Sequence, residues 1–119
     1  AELLGPDHPD LARFINNLAK IDWMQGDFPA AKEAFEQALA LQERAFGPEH
    51  RNVAQLHNNL AAVAASTNDL DEAQRRFELA LAIWEKVLGN EHPQVADALN
   101  NLAVVAGSRG DDAAARAFD

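Results

Sequence analysis

The sequence predicts an all-α chain built as tandem helix-turn-helix repeats that stack into an α-solenoid. Three observations predict it: one internal period held along the chain, apolar stripes at helical spacing within each period, and turn residues recurring at the same places. Asn-Asn-Leu-Ala occurs as Asn16 to Ala19, Asn58 to Ala61 and Asn100 to Ala103, with offsets of 58 − 16 = 42 and 100 − 58 = 42. The same offset relates Gly5, Gly47 and Gly89, then His8, His50 and His92, then Ala31, Ala73 and Ala115. It also carries Phe35 onto Phe77 and Ala38-Leu39-Ala40 onto Ala80-Leu81-Ala82. Self-similarity at a fixed period marks an array in which each unit buries its apolar face against its neighbours.

Each period reads as two helices. Phe14, Leu18 and Ile21 recur at helical spacing, as do Leu56, Leu60 and Val63, and then Ala98, Leu102 and Val105; they are the expected buried face of a helix A. A second stripe, Ala31, Phe35, Ala38, Leu39, Gln42 and Phe46, is matched by Ala73, Phe77, Ala80, Leu81, Trp84 and Leu88 and marks a helix B with Trp84 in the core. Between them Gly26-Asp27, Asn68-Asp69 and Gly110-Asp111 pair a residue that tolerates the left-handed conformation with an Asp that caps the next helix. After helix B, Gly47 and Gly89 stop the helix, and Pro9 and Pro93 fall where a first turn tolerates a missing N–H. Small residues at Ala19, Ala61 and Ala103, and at Ala31, Ala73, Ala38 and Ala80, are expected to let the paired helices approach closely. The predicted division is a helix B tail and linker at 1–8, repeats at 9–50 and 51–92, and a third at 93–119 that is cut short in helix B. Neither end carries a polar cap, so the chain reads as an excerpt of a longer array whose apolar ends could stack head to tail.

Composition narrows the function classes. With 48% hydrophobic and 24% charged residues, the chain lies in the globular range. No stretch approaches the roughly 20 apolar residues that span a bilayer, and no basic segment precedes an apolar one at the start, so neither a membrane nor an export signal is expected and a cytoplasmic protein is. Ten Lys plus Arg stand against 19 Asp plus Glu, which opposes a phosphate backbone and makes nucleic acid an unexpected partner. Most of the acidic residues fall on helix B or in loops, among them Glu33, Glu36, Glu43, Asp71, Glu72, Glu78 and Glu85, with Asp7, Glu49 and Glu91 in the linkers. Zero cysteines exclude disulfides, thiolate nucleophiles and zinc–thiolate sites.

Asn-Leu-Ala on helix A, Gly-Asp at the turn and Ala-x-x-x-Phe-x-x-Ala-Leu on helix B resemble the tetratricopeptide repeat. That repeat usually has a 34-residue period; here helix B and its linker are extended through Gln42 to His50. The longer form, with the linker Leu4-Gly5-Pro6-Asp7-His8-Pro9-Asp10 ahead of Asn16-Asn17-Leu18-Ala19, is similar to the repeats of kinesin light chains and their bacterial relatives. The resemblance covers essentially the whole chain and implies a right-handed superhelix that binds proteins. One departure is that the aromatic common late in helix A is replaced by Asp22, Ala64 and Ala106, so looser packing between adjacent units is expected.

Stacked hairpins put helix A on the concave side. Its residues not used for packing are then Arg13, Asn16, Asn17, Lys20, Trp23 and Met24 in the first unit, Gln55, Asn58, Asn59, Ala62, Ala65 and Ser66 in the second, and Asp97, Asn100, Asn101, Val104, Gly107 and Ser108 in the third. Carboxamides carry donors and an acceptor and can pair with a peptide backbone whatever its side chains. The expected peptide-binding set is Arg13, Asn16, Asn17, Lys20, Gln55, Asn58, Asn59, Ala62, Asn100 and Asn101, and the resemblance implies backbone-holding roles for Asn17, Asn59 and Asn101. The competing reading is that the asparagines bridge neighbouring helices or face solvent, and for Trp23 packing against a neighbouring unit is the expected role. Without a groove ligand the array would serve as a structural or oligomerisation spacer.

No catalytic constellation stands out. His8, His50 and His92 sit one per repeat, separated by about the 8–10 Å of neighbouring helices, too far apart to meet at zinc distances of about 2.0–2.1 Å, and are read as linker structure. His57 has no hydroxyl nucleophile or orienting carboxylate at a suggestive spacing, and no glycine-rich phosphate loop is present. No enzyme, cofactor or metal is expected; the partner expected is a protein or peptide.

Overall fold

A computed structural model describes residues 9–118, with side chains described for residues 10–110. Five helices follow in order: α1 Pro9–Met24, α2 Phe28–Phe46, α3 Arg51–Ser66, α4 Leu70–Leu88 and α5 Pro93–Phe118. No strand occurs among the described residues. Helix starts repeat in register, with 51 − 9 = 42, 93 − 51 = 42 and 70 − 28 = 42. Each helix packs against its neighbours in the chain, and the radius of gyration, 15.6 Å, exceeds the roughly 13–14 Å of a compact domain of this length. The chain is an all-α stack that grows along one direction.

Local chemistry explains the boundaries. Gly26 and Asn68 take positive φ of 82° and 62°, and the backbone N–H groups of Gly26 and Asp27 return to Trp23 and Asp22 at 3.0 and 2.8 Å, closing the last turn of α1. Asn68 and Asp69 do the same for α3, donating to Ala65 and Ala64 at 3.1 and 2.8 Å. The Asp27 and Asp69 carboxylates then accept from Ala30 and Glu72 N–H at 3.3 and 3.4 Å, so one dipeptide ends a helix and starts the next. Gly47 and Gly89, both at φ 88°, end α2 and α4. His50 and His92 are the caps that follow: their Nδ1 atoms accept from Asn52 and Gln94 N–H at 3.0 and 3.1 Å, and the His50 ring stacks on Phe46 at 4.4 Å between centroids. His8 and Gly5 lie outside the described residues.

The third turn departs from expectation. α5 continues through Gly110 and Asp111 to Phe118 as one helix of 26 residues, where Gly26-Asp27 and Asn68-Asp69 reverse the chain. A reversal gives up helical hydrogen bonds and must be repaid by packing of the returning helix. Phe77, Ala80, Leu81 and Trp84 supply that packing for α4. The side chain of Ala115 lies outside those described.

The core runs through the α2–α3–α4 layer, with Phe35, Ala38, Leu39, Leu56, Leu60, Val63, Ala80 and Trp84 in one buried cluster and Ala61, Ala73, Phe77 and Val105 in a second. Gln42 is buried with its stripe, whereas Phe46 is exposed. Leu41 and Ile83, which relate by the same offset, are also buried; the single stripe read from the sequence omits them because helix B is covered both by its own helix A and by the next one. Ala73 is fully buried, and Ala73→Leu is expected to cost about 1–3 kcal/mol through overpacking, read as a lowered midpoint in thermal or denaturant unfolding.

The first unit corrects one expectation. Phe14, Leu18 and Ile21 are not buried: they are 59%, 45% and 49% exposed, while their counterparts Leu56, Leu60 and Val63 are at most 4% exposed. The residues of α1 that are buried are Ala12 and Ala19, with Leu11 and Ile15 packed beside them. The face carrying Leu56, Leu60 and Val63 is covered by the preceding helix B, α2; α1 has no preceding helix among the described residues. Leu102 is partly buried, and Ala98 and Val105 fully, against α4.

One polar pair stands where the other units are apolar. His57, buried in α3, occupies the register of Ile15 and Leu99, and its Nδ1 lies 3.0 Å from Arg76 Nη1 on α4. Burial, then the nearby Arg76 and Arg75 charges, lower the His57 pKa from 6.5 to about 4 against the opposing pull of Glu72. The imidazole is therefore neutral near pH 7 and accepts from the guanidinium.

Candidate functional site: the helix A face

α1, α3 and α5 are the first helices of successive units, and a ladder of side-chain hydrogen bonds links them. Asn59 Nδ2 donates to Asn16 Oδ1 at 3.1 Å, Asn101 Nδ2 donates to Asn58 Oδ1 at 3.3 Å, and Trp23 Nε1 donates to Ser66 Oγ at 3.2 Å. Each rung joins residues 43 apart, one more than the repeat; the two asparagine rungs do so because each links the first Asn of one unit to the second of the next. Gln55 Nε2 adds a bond to Asn59 Oδ1 at 3.1 Å, and Ser66 donates on to the Ala62 carbonyl at 2.9 Å. The bridging alternative thus holds for Asn16, Asn58, Asn59 and Asn101, all half-buried, whereas Asn17 and Asn100 are exposed at the two ends of the ladder. Trp23 meets the neighbouring unit through its hydrogen bond to Ser66 while staying 38% exposed, rather than by burial against it.

A rung does not use up a carboxamide. Each side chain has two N–H donors and an oxygen with two lone pairs, and one bond between two amides leaves most of that capacity facing the surface.

Two clefts open between α1 and α3, one on each side of the Asn16–Asn59 rung. The first, of about 400 Å³, is lined by Asp10, Arg13, Asn16, Gln42, Asn52 and Gln55, with Phe46 and Leu56 among its apolar walls. Arg13 is ion-paired with Asp10 one turn earlier on α1. Gln42 is only 5% exposed, and its Oε1 accepts a long bond from Asn52 Nδ2 at 3.5 Å. The second cleft, of about 150 Å³, is lined by Lys20, Trp23, Met24, Phe35 and Asn59. Arg13 and Lys20 therefore belong to different clefts, about 10 Å apart along α1 at 1.5 Å per residue. Ala62 is half-buried and contributes to neither.

Gln42 and Phe46, on helix B, and Asn52, in the first turn of α3, are absent from the set expected from the sequence. The signal for Gln42 is its register: Trp84 stands 42 residues later and lines the corresponding cleft of the next unit with Arg51, Asn52, Gln55 and Gln94. With a carboxamide in place of the indole, the cleft between the first two units is slightly larger, about 400 against 370 Å³. Gln94 signals itself only through that equivalence, as the counterpart of Asn52.

No group of His, Asp or Glu that could hold a metal occurs among the described residues, and no described helix is long and apolar enough to cross a membrane.

Comparison with known proteins agrees with this architecture. The tetratricopeptide repeat family model matches residues 1–44, 15–82 and 52–119. No curated protein sequence matches the chain significantly. Among solved structures, that of BtubC (BKLC) from P. vanneervenii superposes with a TM-score of 0.83 at 32% identity, covering 94% of this chain and 45% of that one, so the chain spans about half the length of that protein. Repeats of this kind generally serve protein–protein interaction and are generally not catalytic. Matched along its length by the family model, and sharing with a kinesin-light-chain-like neighbour its helix order and packing, the chain belongs to the tetratricopeptide repeat family.

Proposed function

We propose that this chain is a cytoplasmic, non-catalytic protein-interaction module that holds an extended peptide or disordered segment along the face formed by α1, α3 and α5. The observation that carries the reading is the pair of clefts flanking the Asn16–Asn59 rung. From Arg13 to Trp23 is about 15 Å along α1, a distance met by four to five residues of extended peptide at about 3.3 Å each. The ligand would place one side chain among Arg13, Gln42 and Gln55 and another against Trp23, Met24 and Phe35, its backbone crossing the carboxamides between them. Asn17, Asn58, Asn100 and Asn101 extend the same polar track, and Lys20 and Ala62 border it.

The test is a peptide-array screen with the wild-type chain, the Arg13→Ala/Lys20→Ala variant and the Asn59→Ala/Asn101→Ala variant, each checked for helicity. A defined binder weakened about tenfold or more in both folded variants is the expected result. Arg13 and Lys20 take no part in the ladder, so that variant separates a lost ligand contact from a disturbed stack. A second reading, a structural spacer assembling end to end, is supported by the exposed Phe14, Leu18 and Ile21, since contiguous apolar surface favours a partner. Finding no binder together with concentration-dependent assembly in sedimentation would replace the first reading by the second.

A further inference from the structure

We infer that a crevice between the first two helix pairs, sharing no lining residue with the clefts of the helix A face, binds a compact aliphatic carboxylate. It has a volume of about 300 Å³ and an apolar floor of Phe28 from α2 with Leu60, Val63 and Ala64 from α3. Two features leave it open, the first shared with Ala106 of the following unit and the second its own. Ala64 stands late in α3, where a larger side chain would fill the space. A clasp present in the following unit is also missing: there Arg109 pairs with Asp71 across the corresponding crevice, and the equivalent positions here, 109 − 42 = 67 and 71 − 42 = 29, are Thr67 and Pro29, which cannot form an ion pair.

The rim charges select the ligand class. Arg76 is taken up by His57 at 3.0 Å and lies 3.7 Å from Glu72, while Glu72 accepts from Arg75 Nε at 2.8 Å. Asp69 accepts from the backbone N–H of Glu72. Lys32 is exposed and has no carboxylate at ion-pair distance among the described residues. An unneutralised ammonium above an apolar floor complements a carboxylate carried on a short branched or straight aliphatic group. About 300 Å³ is the lower end of ligand-pocket volumes and room for roughly ten water-sized groups. The carboxylate could belong to a free aliphatic acid or to the C-terminal residue of a partner chain.

The experiment is a titration of the ¹⁵N-labelled chain followed by backbone amide shifts at Lys32, Ala64 and Thr67, with three probes: 4-methylpentanoate, N-acetyl-leucine and N-acetyl-leucinamide. Saturable shifts with both acids, about three- to fivefold weaker for the neutral amide and for Lys32→Glu, match an exposed ion pair and are the expected result. Tighter binding of N-acetyl-leucine points to a chain terminus, and tighter binding of 4-methylpentanoate to a free acid. Pro29→Asp/Thr67→Arg, which rebuilds the clasp of the next unit from surface positions, is expected to weaken both acids about tenfold with the helical signal unchanged. Absence of saturable shifts, equal binding of acid and amide, or undiminished binding to the folded clasped variant would overturn the inference. None of these variants touches Arg13, Lys20 or the asparagine ladder, so the outcome is independent of the peptide screen.

Discussion

Phe35→Ala is expected to destabilise the chain by about 3–5 kcal/mol, the range for removing a fully packed aromatic ring. Phe35 is 1% exposed and sits where α2 meets both its own helix A and the next. It also forms a wall of the small cleft with Trp23 and Met24. Truncation opens a cavity that adjoins that cleft, and in denaturant unfolding the midpoint should fall with little change in slope. Phe14→Ala supplies the contrast. Phe14 is 59% exposed, and its removal is expected to change stability by no more than about 0.5 kcal/mol. A Phe14→Ala cost approaching that of Phe35→Ala would show that the α1 face is covered in solution.

Acidification from pH 6.5 to 4 is expected to remove about 2 kcal/mol of stability through His57. Its folded pKa, lowered to about 4 mainly by burial and then by Arg76 and Arg75, lies below the 6.5 of the unfolded chain, so between these values the unfolded state binds the proton more readily. Stability from this group is present above about pH 6.5 and is lost as pH falls toward 4. The full difference in pKa corresponds to about 3 kcal/mol; solvent screening at the partly open Arg76 side reduces it to about 2. Physically, protonation turns the acceptor facing Arg76 into a second cation at 3.0 Å. His57→Leu places in α3 the residue that the third unit carries at Leu99, and should flatten this part of the pH–stability curve. An equally steep curve in that variant would assign the acid sensitivity elsewhere.

The His57 pair also shows how far repeat reasoning reaches. The 42-residue offset predicts that position 57 faces the core, because Ile15 and Leu99 share its register, yet it does not announce that Arg76 comes to meet it. Arg76 occupies the register of Ala34, and only the docking of α4 on α3 brings the guanidinium to the imidazole. The asparagines behave alike. Their spacing places them on one face of helix A, but whether a carboxamide points to a neighbour or to a ligand depends on the distance between adjacent A helices, a tertiary quantity. In this stack Asn59 reaches Asn16 and Asn101 reaches Asn58, and the polar track is a supported ladder rather than a row of independent side chains.

By itself the sequence determined the helices, their caps and their order, because these follow from local chemistry. Asp27 and Asp69 bond N–H groups three residues on, Gly26 and Asn68 take a conformation most residues avoid, and the 3.6-residue period sorts apolar from polar faces. Tertiary structure alone decided what each face meets. Phe14, Leu18 and Ile21 have the pattern of Leu56, Leu60 and Val63, yet they are exposed because burial belongs to the pair of surfaces and α1 has no described helix before it. Gly110-Asp111 has the chemistry of a turn, yet α5 runs on through it to Phe118, so the dipeptide alone does not decide a reversal. Gln42 and Ala64 are unremarkable within their own helices; they become the walls of clefts only when neighbouring units come together.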